Sequence, residues 1–327
     1  MIMPDFADFP IPTPTMPPTT TSSVAPIPTV IPSFPIYQEI HTTGKRTLWV
    51  VTVLMGISAL VFYSLSARAP LPKRVFHTLS AVITTISFIT YLALATEQGI
   101  DFNYHQIIHK NKHVPDTQDG VFRAVLWLRF VNWALTTPLL LTNFALISGL
   151  PGANLLAAIA ANWVMLATAA FGSFAGHTSA RWAWLTLSCI GFLTMLHHAG
   201  FHAQRATQNK DARTRRFFGA YSGSAFFALA LFPMYVFLFR PPLPSGVVWC
   251  TWLIYGSAFA AGTLALKISV DTETILYAIQ DIFTQGLLSY WLVVSHDSAQ
   301  GITLHLDGFW SHGIGSEGAI RIEEEGA

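Results

Sequence analysis

Apolar runs long enough to cross a bilayer, about 20 residues each, recur along this chain near 47–66, 75–96, 121–148, 153–176, 182–203, 217–239, 247–266 and 274–294. Short polar stretches separate them. The pattern predicts a bundle of membrane-spanning helices. The linker RPPLPSG between the sixth and seventh runs is a helix breaker, so those two runs are separate segments.

The ends of the chain follow another pattern. Residues 1–42 are rich in proline, threonine and serine, as in FPIPTPTMPPTTTSSVAPIPTVIPSFP, which favours extended, solvated chain over packing. They are expected to form a disordered outer tail. Residues 297–327 contain no spanning run, end in IRIEEEGA and are expected to be a flexible cytoplasmic tail. Between the second and third runs, TEQGIDFNYHQIIHKNKHVPDTQDG carries His105, His109 and His113 at four-residue spacing. A helix there would put three imidazoles on one face, as a zinc site requires. No acid or cysteine ligand is placed with them and such a loop is often not helical, so no metal is expected. His198 and His202 repeat the spacing and read as interfacial histidines.

Composition agrees with the pattern: 52% of the 327 residues are hydrophobic and only 11% are Asp, Glu, Lys or Arg, against roughly a quarter charged in a soluble domain. A net charge of +1 without a basic patch gives no reason to expect nucleic acid. Arg68, Lys73 and Arg74 follow the first run, and Arg205, Lys210, Arg213, Arg215 and Arg216 follow the fifth. The positive-inside rule puts both loops in the cytoplasm and the N-terminus outside. Cys189 and Cys250 lie in apolar runs and read as small buried hydrophobes. No secretory signal pattern precedes the first run.

The third run, LRFVNWALTTPLLLTNFALISGL, contains an RxxxWxxTTPLLL pattern. With HTLSAVITTISFITYLALAT in the second, ANWVMLATAAFG in the fourth and DTETILYAIQDIFTQG in the last, it resembles the microbial (type 1) rhodopsins, in particular the fungal opsins. The resemblance covers about 46–294. It implies an all-α membrane protein, a seven-transmembrane-helix bundle over 43–296. Eight runs are one too many. FFGAYSGSAFFALALFPMYVFLF, 217–239, is taken as the sixth helix, which makes about 241–264 a hydrophobic insertion lying against the bundle, re-entering or bending at the interface. WLIYGSAF, 252–259, echoes the same helix's tryptophan and tyrosine spacing, with Gly256 where a proline is expected.

By that resemblance the retinal pocket falls on Tyr91, Trp133, Thr136, Thr137, Pro138, Met165, Phe232, Pro233 and Asp281. The family's retinal-bearing lysine stands four residues after the aspartate, and here that residue is Gln285. A carboxamide cannot form a Schiff base. Of the six lysines, Lys267 lies 18 residues before Gln285, about 27 Å along a helix, and the other five are expected in tails and loops. The family's proton-path carboxylates fall on Asn132, Asn143 and Asn162, and a further charge-pair position on Glu273. Deleting one partner of a buried pair costs about 3–5 kcal/mol. The chain lacks the lysine and the Asn132 carboxylate together, which leaves Arg129 to balance Asp281.

These departures imply a rhodopsin-like membrane protein, not an enzyme, without covalent retinal and not a proton pump. Sensor, stress-related and partner-binding roles fit, as does a small-molecule or lipid binder. The alternative is a light-driven ion transporter or photoreceptor holding retinal noncovalently. The lipid bilayer is the expected partner, a homo-oligomer is allowed, and a plasma-membrane location is expected.

Overall fold

In the computed structural model, residues 35–70, 74–109, 117–208, 210, 212, 214–219 and 255–298 are described. Five long helical elements carry the bundle in order. The first four are α1 (Thr42–Arg68), α2 (Arg74–Ala95), α3 (Leu128–Ser148) and α4 (Gly152–Phe174). The fifth is α5 (Thr178–Met195), which runs through a π turn, Leu196–Phe201, into α6 (His202–Gln208). Among the described residues, α1 to α4 are the helices long and apolar enough to cross a membrane by length and composition. Residues 255–259 are helical and lead into a π turn, Ala260–Leu264. The last crossing is α7 (Val270–Asp281), a π turn, Ile282–Leu287, and α8 (Leu288–Ser298).

Local chemistry sets the ends and bends of these helices. Gly149 ends α3 at φ 69°, a left-handed cap that glycine adopts without a Cβ clash. Leu150 N then donates to Ala145 O, and Pro151 opens α4. Ser269 caps α7 by accepting from Thr272 N at 3.2 Å. Pro138 lies inside α3 and has no N–H for Ala134 O. The Trp163 indole of α4 donates to that carbonyl at 2.9 Å, so the vacated bond becomes a link between helices.

Sequential helices pack as neighbours and α1 closes against α7. The backbones of α4 and α5 come close at Gly191 of α5, where a Cβ would lie 3.0 Å from Met165 N and 3.1 Å from Ala161 O. Small residues allow such backbone contact in lipid. One apolar core is built on Phe76, Leu141, Leu155, Met195 and Leu292, and a second on Leu48, Met55, Tyr91, Leu126 and Val270. Trp49, Val53, Ile57 and Leu60 of α1 are exposed, as lipid-facing positions would be.

The segment between α2 and α3 is a ribbon. β2 (Asp101–His109) and β3 (Thr117–Val125) pair antiparallel with His105 opposite Val121, and β1 (Ile36–Gln38) joins β3 in parallel with Tyr37 opposite Phe122. The predicted start of the third run at 121 is therefore corrected: 121–125 complete a strand, and the helix starts at Leu128. His105 and His109 lie on β2 and share no helix face. His105 is fully buried beneath the sheet, His109 is exposed and 3.1 Å from Asp119, and His113 lies outside the described residues. Among the described residues no group of three potential ligands is placed to hold a metal.

Candidate functional site

Asp281, at the end of α7, is fully buried. Its Oδ2 accepts from the Tyr91 hydroxyl of α2 at 2.6 Å, and its Oδ1 accepts from the Trp133 indole of α3 at 2.9 Å and the Tyr255 hydroxyl at 2.8 Å. Three separate helical elements thus converge on one carboxyl. Thr284 lies 3.0 Å from the same Tyr255 hydroxyl.

Gln285 follows within the π turn of the last crossing, a distortion that often marks functional positions. Its carboxamide has two donor hydrogens and two acceptor lone pairs, and all four are engaged. Oε1 accepts from the Ser87 hydroxyl and from Asn132 Nδ2 at 3.4 Å. Nε2 donates to Thr136 Oγ1 at 3.3 Å and to Asp281 Oδ1 at 3.4 Å. The amide therefore ties α2, α3 and the last crossing together.

Beside this network lies a cavity of about 280 Å³. Trp133, Thr137 and Met165 line it, as the sequence predicts, together with Gln285. Pro138 stands in α3 and does not line the cavity. Phe232 and Pro233 lie outside the described residues. Tyr255, Gly256 and Phe259 also line the cavity. Residues 255–259, which fall within the expected insertion, thus contribute to the site. The physical reason is the Asp281 carboxyl, which takes the Tyr255 phenol as a hydrogen-bond donor. The tryptophan and tyrosine spacing of 252–259 carried that signal in the sequence. Phe130, Phe192 and Tyr277, which also line the cavity, had no such signal, because an aromatic residue on a membrane helix usually packs in the core.

The expected Arg129–Asp281 balance is corrected. Among the described residues, no ion pair joins them within 4.0 Å. The Arg129 guanidinium lies 4.6 Å from the Tyr277 ring centroid and its Nη2 is 3.5 Å from Thr274 Oγ1. Tyr277 also packs edge-on against Trp133, so the arginine's contact is with the aromatic wall. Asp281 is satisfied by four neutral donors.

The buried ion pair is at the other predicted charge position. Glu273 Oε2 is 2.6 Å from Nη2 of Arg123, a β3 residue, and Glu273 Oε1 accepts from Thr263 at 2.7 Å. Arg123 Nη1 also donates to Gln38 and to Ile268 O. This cluster clamps the ribbon onto the start of α7. Asn143 and Asn162 are fully buried, and their amide groups have no hydrogen-bond partner among the described residues. They stand apart from the Gln285 network. Cys189 is corrected to exposed and lines the cavity, while Cys250 lies outside the described residues. Lys45, expected in a tail or loop, lies on α1 and pairs with Glu97.

The Bacteriorhodopsin-like protein family profile matches residues 42–295. Opsin-1 of Neurospora crassa is 37% identical over 310 residues, 94% of each chain. The opsin-like protein carO of Fusarium fujikuroi is 26% identical over 79% of this chain and 75% of its own. Among solved structures, the light-driven proton pump LR (Mac) from Leptosphaeria maculans superposes with a TM-score of 0.71 at 32% identity, over 81% of this chain and 98% of that one.

Proposed function

The chain belongs to the bacteriorhodopsin-like protein family, and from that membership we propose that it is a rhodopsin-fold membrane protein that works without covalent retinal and does not pump protons. The observation that carries this is Gln285. The position that the resemblance gives to the retinal lysine holds a carboxamide whose donors and acceptors are all engaged by Ser87, Asn132, Thr136 and Asp281. The aromatic wall fits an apolar guest, but the side chain at 285 does not fit a covalently attached one. Asn132, Asn143 and Asn162 neither accept nor release protons. On this reading the protein is a sensor or a partner-binding or stress-related membrane protein and not an enzyme. It lies in the plasma membrane with its N-terminus outside, its C-terminus is cytoplasmic, and a homo-oligomer is allowed.

A second reading, a light-driven transporter or photoreceptor holding retinal noncovalently, draws on the likeness to a protein described as a light-driven proton pump. Expression of the full chain with all-trans retinal separates the two. Our reading expects no visible pigment in the parent and a visible band in Gln285→Lys. A bleachable visible pigment in the parent overturns it.

A further inference from the structure

We infer that the end of the bundle where α3 and α6 finish carries a binding surface for anionic phospholipid head groups, built on Arg205, Arg215 and Arg216. The inference is independent of what the cavity holds.

The surface begins as a gradient along one helix face. Ile190, Leu193, His197, Phe201 and Arg205 follow one another at three- or four-residue spacing, which keeps side chains on one side of a helix, and all five are exposed. The face runs from aliphatic to aromatic to cationic, the order in which a bilayer passes from hydrocarbon through its interface to its head groups. Arg205 thus stands one turn beyond an exposed aromatic residue, at the depth of lipid phosphate.

The core holds the other half in place. Residues 214–219 are helical, and there Phe217 packs on Trp291 with ring centroids 5.7 Å apart while the buried Phe218 packs on Phe144 of α3 at 6.4 Å. The preceding Arg215 and Arg216 are exposed on that fixed base. Lys210 is placed differently, because a Cβ on Gly149 would meet its Cε at 2.6 Å. Its side chain covers the C-terminal end of α3, whose last carbonyls attract a cation. The helix end takes up Lys210, and the three arginines are left.

Among the described residues, none of the three arginines is in an ion pair with a carboxylate. Between residues 120 and 270 the sequence has a single acidic residue, Asp211. Guanidinium groups match phosphate oxygens two at a time, and each basic side chain just beyond a membrane helix strengthens attraction to an anionic bilayer about fivefold. The exposed apolar stripe leading to Arg205 favours lipid over an acidic soluble protein. On the proposed orientation the surface faces the cytoplasmic leaflet, where anionic lipids lie.

The test places purified full-length protein in phosphatidylcholine bilayers and reads, by electron spin resonance, how much spin-labelled phosphatidylserine or phosphatidylcholine the protein immobilises. Averaged over the ring of lipids around the protein, phosphatidylserine should be held about threefold more strongly. The combined variant Arg205→Gln, Arg215→Gln, Arg216→Gln should bring the two lipids level, whereas Arg46→Gln, exposed at the start of α1 on the opposite end, should leave the preference intact. Equal immobilisation of both lipids by the parent overturns the inference and leaves an acidic soluble protein as the partner. A preference that survives in the combined variant, or disappears in Arg46→Gln, overturns it as well. The parent alone gives a check that needs no substitution: about 1 M sodium chloride, which shortens the screening length to about 3 Å, should abolish most of the preference, and a salt-insensitive preference counts against the surface.

Discussion

The Tyr255 hydroxyl donates to Asp281 Oδ1 across 2.8 Å, although 26 residues separate the two in sequence. This bond brings a residue of the 247–266 run to the site. Tyr255 is stacked on Tyr277 and edge-on to Trp133, so the same residue completes both the hydrogen-bond set and the aromatic wall.

Removing the Gln285 amide should loosen three elements together. Interhelical hydrogen bonds in membranes average about 0.6 kcal/mol each, and Gln285 makes four. Gln285→Ala is expected to cost about 2 kcal/mol, read as a lower midpoint of thermal unfolding in detergent. A midpoint equal to that of the parent would contradict the network.

Proton pumping should not return with the lysine alone. In Gln285→Lys the side chain at 132 is still a carboxamide 3.4 Å from position 285 in the parent, and it takes no proton. Light-driven pH changes in Gln285→Lys loaded with retinal should rise tenfold or more when Asn132→Asp is added. Robust pumping by the single variant would refute the role given to Asn132.

Arg123 and Glu273 form a buried pair 2.6 Å apart. Breaking a buried pair on one side costs about 3–5 kcal/mol, whereas replacing both partners with apolar residues is often neutral. Glu273→Gln is therefore expected to destabilise strongly, and the double variant Arg123→Met, Glu273→Leu should unfold near the parent midpoint. Denaturation of the three proteins side by side checks the difference.

His105 makes the stability of the ribbon depend on pH. Burial first, and then the Arg181 and Arg123 charges, hold its pKa down to about 4 from 6.5. Between these values the unfolded chain carries the proton and the folded chain does not. Stability is then fully present above about pH 6.5 and falls as pH drops toward 4. His105→Leu should flatten that part of the stability profile, and an unchanged slope would remove His105 as its cause.

At Gly191, Gly191→Val should push α4 and α5 apart, because even a Cβ would sit 3.0 Å from backbone. Overpacking of this kind costs about 1–3 kcal/mol, measurable as a lowered unfolding midpoint.

The sequence by itself determined the membrane class, α2 and α4 to within a few residues, and the family. Runs of about 20 apolar residues and a motif confined to one helix are local properties, and spacing along the chain carries them. Gln285 too was legible as a residue that cannot bear retinal. Only the tertiary structure decided what surrounds it: four partners from α2, α3 and the last crossing that consume its hydrogen bonds. Tertiary structure also turned Arg129 toward Tyr277, gave Glu273 to Arg123 of the ribbon, and brought Tyr255 to Asp281. Those choices depend on distances between residues remote in sequence. A buried carboxyl is satisfied by whichever donors the packing delivers to it, and hydrophobic periodicity contains no record of them.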